Sequence, residues 1–295
     1  SLAAEVALNA IDLRGLQHRQ GIARDNLQAQ RETLQITRWR NQAGLASALD
    51  VEQAVTASEQ TAAQVPALQA QIDQTLHALA VLTGQAPGVL QTTLATVRQI
   101  PQPTPDLVLA FPAETLRQRP DVRAAEARVS AAAQRVVQAE AARYPSFSLS
   151  GSLGLSALTL SGLTGGGAAA GSLLAGVSLP LFDGGALRAQ SDAQQAALDQ
   201  ARAGHRASVL TALKDVEDAL VALQGDRERL ARLRAAATAA DNAALLARQR
   251  YASGLVDFQT MLTTQRTQLS AQDSVASGNA DVASDHVRLF KALGG

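Results

Sequence analysis

The segment PSFSLSGSLGLS, residues 145–156, decides the architecture: Phe147, Leu149, Gly151, Leu153 and Leu155 alternate with Ser148, Ser150, Ser152, Gly154 and Ser156. A period of two belongs to a β-strand, whose successive side chains point to opposite faces. A second arm repeats it more loosely, with Leu173, Ala175, Val177, Leu179 and Leu181 on one side and Leu174, Gly176, Ser178 and Pro180 on the other. Ser161 to Gly171 reads as a Gly/Ala loop between the arms. From Pro145 to Phe182 there is no charged side chain, yet Gly and Ser are too frequent for a helix through lipid. Two strands of about ten residues match the height of a tilted membrane strand, whose apolar face meets lipid while the other lines water. The predicted membrane-facing residues are Phe147, Leu149, Leu153, Leu155, Val177, Leu179 and Leu181. A soluble sheet with one face packed on helices is the alternative, but the neighbouring helices lack the large aromatics that usually cover one. In lipid every backbone group must be bonded, so two strands can only be part of a larger closed barrel, and oligomerisation follows. Tyr144, Phe147 and Phe182 sit at the strand ends, where interface aromatics are expected.

Outward from the hairpin the pattern becomes helical. From about Ala186 to Tyr251 the chain has no proline, and a helix of that length spans roughly 100 Å. Val209, Leu213, Val216, Leu220 and Leu223 step by three or four, the spacing of a seam against neighbouring helices. On the other side a helix is predicted from about Ala113 to Arg143, started by Pro112. Residues 85–112 hold Pro87, Pro101, Pro103, Pro105 and Pro112, and read as a linker across the outside of the helices.

The chain also repeats itself. At an offset of 210 residues, Ser1–Gly84 lies on Thr211–Gly294 without a gap, pairing Gly44-Leu45 with Gly254-Leu255 and Gly84 with Gly294. Ala-rich helices match readily, so the glycine pairs weigh most. Each repeat reads as two antiparallel helices broken at the Gly-Leu, where glycine permits the positive φ that ends a helix. Pro66 is expected to kink or locally break the second helix of the first repeat; its counterpart is Ala276. The organisation is then a first-repeat helical hairpin (1–84), a Pro-rich linker (85–112), a helix (113–144), a membrane β-hairpin (145–182) and a second-repeat helical hairpin (183–295).

Composition agrees with a mainly α chain, because 46% of residues are hydrophobic while 3% are aromatic, so the apolar content is Ala, Leu and Val. Twenty-six Lys and Arg balance twenty-six Asp and Glu, and zero net charge gives no basic field to gather nucleic acid. The absence of cysteine excludes disulfides, thiolate metal sites and a cysteine nucleophile. His18, His77, His205 and His286 are too far apart to share a metal and are read as solvated helix residues. No run of 18 apolar residues crosses a membrane as a helix. No catalytic constellation or phosphate loop is present, since Gly165-Gly166-Gly167 lacks the following lysine. Neither an enzyme nor a cofactor or metal site is expected.

Several longer motifs carry a resemblance. Phe111-Pro112-Ala113-Glu114-Thr115-Leu116 with Arg119-Pro120-Asp121-Val122, then Tyr144-Pro145-Ser146-Phe147, Ser178-Leu179-Pro180-Leu181-Phe182-Asp183-Gly184-Gly185 and Arg250-Tyr251-Ala252-Ser253-Gly254-Leu255, resemble TolC-type outer-membrane efflux proteins, especially the lipoprotein channels that serve RND pumps. The resemblance covers the whole chain. It implies a homotrimer in the outer membrane of a Gram-negative cell, each chain adding β-hairpins to one barrel embedded in the lipid bilayer and long helices to one periplasmic tunnel. It implies a passive exit duct for small molecules, as in drug resistance, working with a periplasmic adaptor (membrane fusion) protein and an inner-membrane RND pump. A type I protein-secretion conduit of the same fold, or a structural coiled-coil protein, are the alternatives. The family has two hairpins per chain and one is present here. By the 210-residue offset, roughly 100 residues or more, the other hairpin and a lipid-anchoring cysteine are expected upstream of Ser1.

The resemblance also assigns residues. The hairpin tips, Ala43, Gly44 and Leu45 with Ser253, Gly254 and Leu255, would meet the adaptor, although an ordinary Gly-terminated turn accounts for the same residues. Asp50 matches the acidic half of a latch that holds the mouth shut, and Arg250 and Tyr251 match its partners; Asp50 read by itself is equally a solvated residue or a helix-start cap. Where family members carry an acidic ring at the constriction this chain has Thr263, and the apolar constriction position is Gln259. Neutral hydroxyls and amides predict weaker cation selectivity.

Overall fold

The computed structural model describes residues 1–96, 99–101, 117–155 and 169–294. Its elements are α1 (Leu2–Gln42), α2 (Ala48–Leu82), the short α3 (Leu90–Leu94), α4 (Pro120–Ala141), β1 (Ser146–Leu155), β2 (Ala169–Ser178), α5 (Ala186–Ala252) and α6 (Phe258–Ala292). At 67 residues α5 is about 100 Å long. None of the described helices is long and apolar enough to cross a membrane. The chain forms two compact units, residues 1–115 with 213–295, and residues 116–212.

In the first unit the repeat is visible as geometry. Gly44 and Gly254 take φ of 74° and 73°. Leu45 N donates to Arg40 O at 2.7 Å and Leu255 N to Arg250 O at 2.8 Å, the outer bond of a Schellman ending. The helices that follow each have 35 residues. Ser47 caps α2 and Asp257, one repeat later, caps α6. Asp257 accepts from Thr260 N at 2.7 Å, and the bonds from Thr260 hold its carboxyl below the usual range.

Each hairpin buries an apolar strip. Leu13, Leu16, Leu68, Ile72, Leu76 and Leu79 pack between α1 and α2, and Leu223, Leu230, Val282 and Leu289 between α5 and α6. The seam between hairpins is mixed: at its tip end Ala54 and Ala57 of α2 and Leu34 of α1 pack with Tyr251, Phe258, Met261 and Leu262, and polar pairs run along the rest. Arg19 Nε donates to Asp273 at 2.6 Å, Asn26 Nδ2 to Gln272 Oε1 at 2.9 Å, and Gln265 Nε2 to Thr33 Oγ1 at 3.1 Å. Gln272 and Gln268 both donate onward to Asp241 on α5.

Some expectations need correction. The helix continues through Pro66, which lies on its exposed face, so water can satisfy the carbonyl left without a donor. The helix expected from Ala113 starts, within the described residues, with Pro120 at its first position and ends at Ala141; Pro112 lies outside them. In the predicted seam on α5, Leu223 is buried but Leu213 is exposed, its turn being buried through Ala212 instead. His286 is not solvated. It is 4% exposed, with Nε2 3.0 Å from Arg227 Nη2, and burial followed by the Arg227 charge lowers its pKa.

In the second unit, Ala132 and Val136 of α4 pack on Leu198 of α5. Arg119, almost buried, holds Asp121 with two bonds of 3.1 and 2.7 Å at the start of α4, and that hydrogen bonding keeps the Asp121 carboxyl low.

Candidate functional site

The antiparallel register of β1 and β2 assigns the faces of the hairpin. Phe147 pairs with Val177, Leu149 with Ala175, Gly151 with Leu173 and Leu153 with Gly171, while Ser148 pairs with Gly176, Ser150 with Leu174 and Ser152 with Ser172. Directly opposed residues share a face. One face is therefore aliphatic and aromatic and the other hydroxylic, with Leu174 its one large apolar side chain. Large and bare positions alternate across the pair: a Cβ on Gly151 would lie 3.5 Å from Leu173 Cδ1, and one on Gly171 would lie 3.4 Å from Leu153 Cδ1. Ser152 and Ser172 hydroxyls are 2.9 Å apart on the polar face. Among the described residues nothing covers the apolar face: Phe147 is 81% exposed, Leu153 89% and Leu173 77%.

The strands differ from expectation at both ends of β2. Ala169–Gly171, read as loop, pair with Leu153–Leu155 and carry the ladder to the far end of β1. Leu179 and Leu181 lie beyond the strand, which stops at Ser178 opposite Ser146. The reason is that Pro145 and Pro180 flank that pair and neither has an N–H for the ladder. Both leucines are exposed, as are Tyr144 and Phe182. Just past them Asp183 accepts from Leu187 N at 2.8 Å and Gly185 N at 2.9 Å, so the Asp-Gly-Gly turn caps α5 and those bonds hold its carboxyl low. Leu155 lies at the far end of β1, paired in backbone register with Ala169.

At the helix tips, Ala43, Gly44, Leu45, Ser253, Gly254 and Leu255 are all exposed. Asp50 Oδ2 accepts from Ser47 N at 2.9 Å while Asp50 N donates to Ser47 Oγ at 3.1 Å, a reciprocal helix-start cap. Among the described residues no hydrogen bond joins Asp50 to Tyr251 or Arg250. Arg250, Gln259 and Thr263 are exposed. Tyr251 is buried against Phe258, ring centroids 5.8 Å apart and nearly edge-on, and among the described residues its hydroxyl has no hydrogen-bond partner.

Sequence reasoning missed Arg40. Its guanidinium lies 4.5 Å from the Tyr251 ring centroid, and Nη1 donates at 2.7 Å to Tyr251 O in the last turn of α5. A cation there meets the ring face and the negative end of the helix dipole together. One signal was available: Arg19, Asn26, Thr33 and Arg40 recur every seven residues on α1, the spacing of one helix face against a neighbour.

These features can be set against known proteins. The family profile described as outer membrane efflux protein matches residues 1–85 and 111–295. The chain is 33% identical, over all of its length and 61% of theirs, to outer membrane protein OprJ of Pseudomonas aeruginosa and to the toluene efflux pump outer membrane protein TtgF of Pseudomonas putida. It is similar in structure to the outer-membrane channel OprN, with a TM-score of 0.92 at 38% identity, covering 100% of this chain and 66% of that one. The outer membrane protein VceC of Vibrio cholerae follows at TM-score 0.87 and 28% identity, covering 100% and 70%. The chain spans about three-fifths of the length of these curated relatives.

Proposed function

Because the chain belongs to the outer membrane efflux protein family, we propose that it forms the exit duct of a tripartite RND-type efflux system in a Gram-negative outer membrane, passively conducting small molecules from periplasm to exterior. The observation that carries this is the uncharged hairpin with one exposed apolar face and one serine face. Such a pair is stable in lipid only when further strands close it into a barrel with a wet interior. A homotrimer supplies those strands. The names of the relatives span a toluene efflux pump outer membrane protein and nodulation protein T, consistent with a conduit whose cargo is chosen elsewhere.

The twin glycine tips are the docking end for a periplasmic adaptor, which in turn meets the inner-membrane pump. Support comes from their identical Schellman backbones and exposed Leu45 and Leu255. Asp50 at the start of α2, and Arg250 and Tyr251 at the end of α5, form the latch of the closed mouth through a carboxylate, a guanidinium and a phenol. Gln259 and Thr263, exposed on α6, line the constriction without charge.

Planar-bilayer recording tests the reading: the protein conducts, and Thr263→Asp raises cation over anion permeability several-fold by adding a ring of carboxylates. No conductance would sink the duct, and an unchanged permeability ratio would remove Thr263 from the constriction.

A further inference from the structure

Away from its tip, the second hairpin buries an acid where the first buries none. Asp285, two turns before the end of α6, is 1% exposed. Its Oδ1 accepts from Arg288 Nη1 at 2.9 Å, but Oδ2 is buried and meets no donor among the described residues. Across the junction Asp226 of α5 stands within hydrogen-bonding reach of Asp285. Asp226 Oδ1 accepts from Arg229 Nη1 at 3.0 Å, and the same Nη1 reaches Asp281 Oδ2, one turn before Asp285, at 3.4 Å. The 226–229 turn of α5 therefore lies on the 281–285 turn of α6.

Two ionised carboxylates facing each other in a buried site repel, and each lacks a donor for its facing oxygen. One proton between them removes both costs, since one carboxyl becomes an O–H donor and the other its acceptor. Burial and the neighbouring Asp226 both raise the pKa of Asp285 against Arg288, the direction that keeping a proton requires. Other charged groups surround the pair. Arg227 of α5 lies against His286 at 3.0 Å with Glu228 exposed beside it, and α1 brings Asp12 and Arg14 next to Gly15, whose backbone approaches Ala280. None of them donates to Asp285 Oδ2.

The repeat shows that the hairpin closes without this chemistry. Shifted by 210 residues, Asp226 becomes Leu16, Asp285 becomes Thr75 and His286 becomes Leu76. Leu16 and Leu76 belong to the apolar strip of the first hairpin, and Thr75 Oγ1 donates to Gln71 O of its own helix at 2.9 Å. The acid pair is thus an addition to the scaffold rather than part of it.

We propose that Asp226 and Asp285 share a single proton that fastens α5 to α6, and that its loss as pH rises loosens the end of α6 from Val282 to Ala292. The contribution is complete below the ordinary carboxylate value of about 3.9 and is lost as pH rises through the raised value of the pair.

Infrared spectra of the whole chain, taken as pH rises from about 4, should keep a protonated-carboxyl band after the ordinary carboxyls have ionised. Asp226→Asn and Asp285→Asn should each abolish that band, because an amide supplies the donor without a proton. The double variant Asp226→Leu with Asp285→Thr, which copies the first repeat, should lose it likewise. Amide hydrogen exchange of residues 282–292 is best read as the ratio of wild type to Asp226→Asn at each pH, so that the intrinsic rate cancels. That ratio should rise by up to about tenfold per pH unit until the pair has ionised, and then level off. A missing band, a band that survives Asp226→Asn, or a ratio independent of pH overturns the shared proton. So does exchange in the wild type that slows when sodium or magnesium is added at fixed pH and ionic strength, because a cation would then hold the two carboxylates.

Discussion

The strips inside the hairpins and the seam between them are built from the same helices but in different chemistry: the strips are apolar throughout, whereas the seam carries polar pairs along α1 and α6 beside an apolar cluster at its tip end. Inside a hairpin, α1 meets α2 through leucine and isoleucine; between hairpins, α1 meets α6 through Arg19–Asp273, Asn26–Gln272 and Thr33–Gln265. Apolar burial is non-directional and strong per side chain, whereas each polar rung contributes only a net kcal/mol or so, since water competes for the same groups. A hairpin is therefore the unit that holds, and the seam is the joint that sets how two hairpins are registered. Buried polar atoms without partners lie along this seam and its tip end, at Gln265 Oε1, Arg40 Nε and the Tyr251 hydroxyl. The α5–α6 strip has its own, at Asp285 and His286, so polar strain is not confined to one region.

The largest expected effect tests the strip. Leu13 is 1% exposed, and Leu13→Ala should lower stability to chemical unfolding by about 3 kcal/mol through lost transfer energy and an unfilled cavity. A loss under about 1 kcal/mol would mean that α1 and α2 are not held by that strip.

A smaller effect tests the joint. Arg40→Met keeps the length of the side chain but removes the bond to Tyr251 O and the charge over its ring, for an expected loss of about 2 kcal/mol. Arg40→Lys should recover part of it, as an ammonium still meets both carbonyl and ring. If Met serves as well as Arg in thermal unfolding, the contact is packing alone.

The smallest effect is a pH dependence inside the α5–α6 strip. His286 has its pKa lowered by burial and by Arg227, so the unfolded chain takes up the proton first. Its contribution is complete above the ordinary histidine value of about 6.5 and is lost as pH falls through the lowered folded value. Asp285 works the other way: burial, with the neighbouring Asp226, raises its pKa against the opposing Arg288. That contribution is present below the ordinary carboxylate value and lost as pH rises through the raised one. His286→Gln should flatten the acid-side decline in melting temperature between about pH 7 and 5; an unaltered decline would assign it to other groups.

The faces of the β-hairpin were legible residue by residue, since alternation is a property of neighbours in the chain and Phe147 to Leu153 carry it without a break. The glycine turns were legible too, because Gly44 and Gly254 repeat at fixed spacing and a positive φ has few other occupants. Where β2 stops was not, because Leu179 and Leu181 keep the period while their partner positions fall past Pro145. The burial of His286 and the grip of Arg40 on Tyr251 were also missed, since each depends on a helix more than fifty residues away.

The sequence by itself determined the periods, the caps and the uncharged segment, which arise between residues near one another in the chain, and the repeat, which needs only the order of residues. Only the tertiary structure decided which polar side chain meets which across the α1–α6 seam, and that Arg40 reaches Tyr251. Helix periodicity fixes a direction around the axis, but the partner found in that direction depends on how far one helix is slid along the other, and that is set by packing summed over the whole length of both.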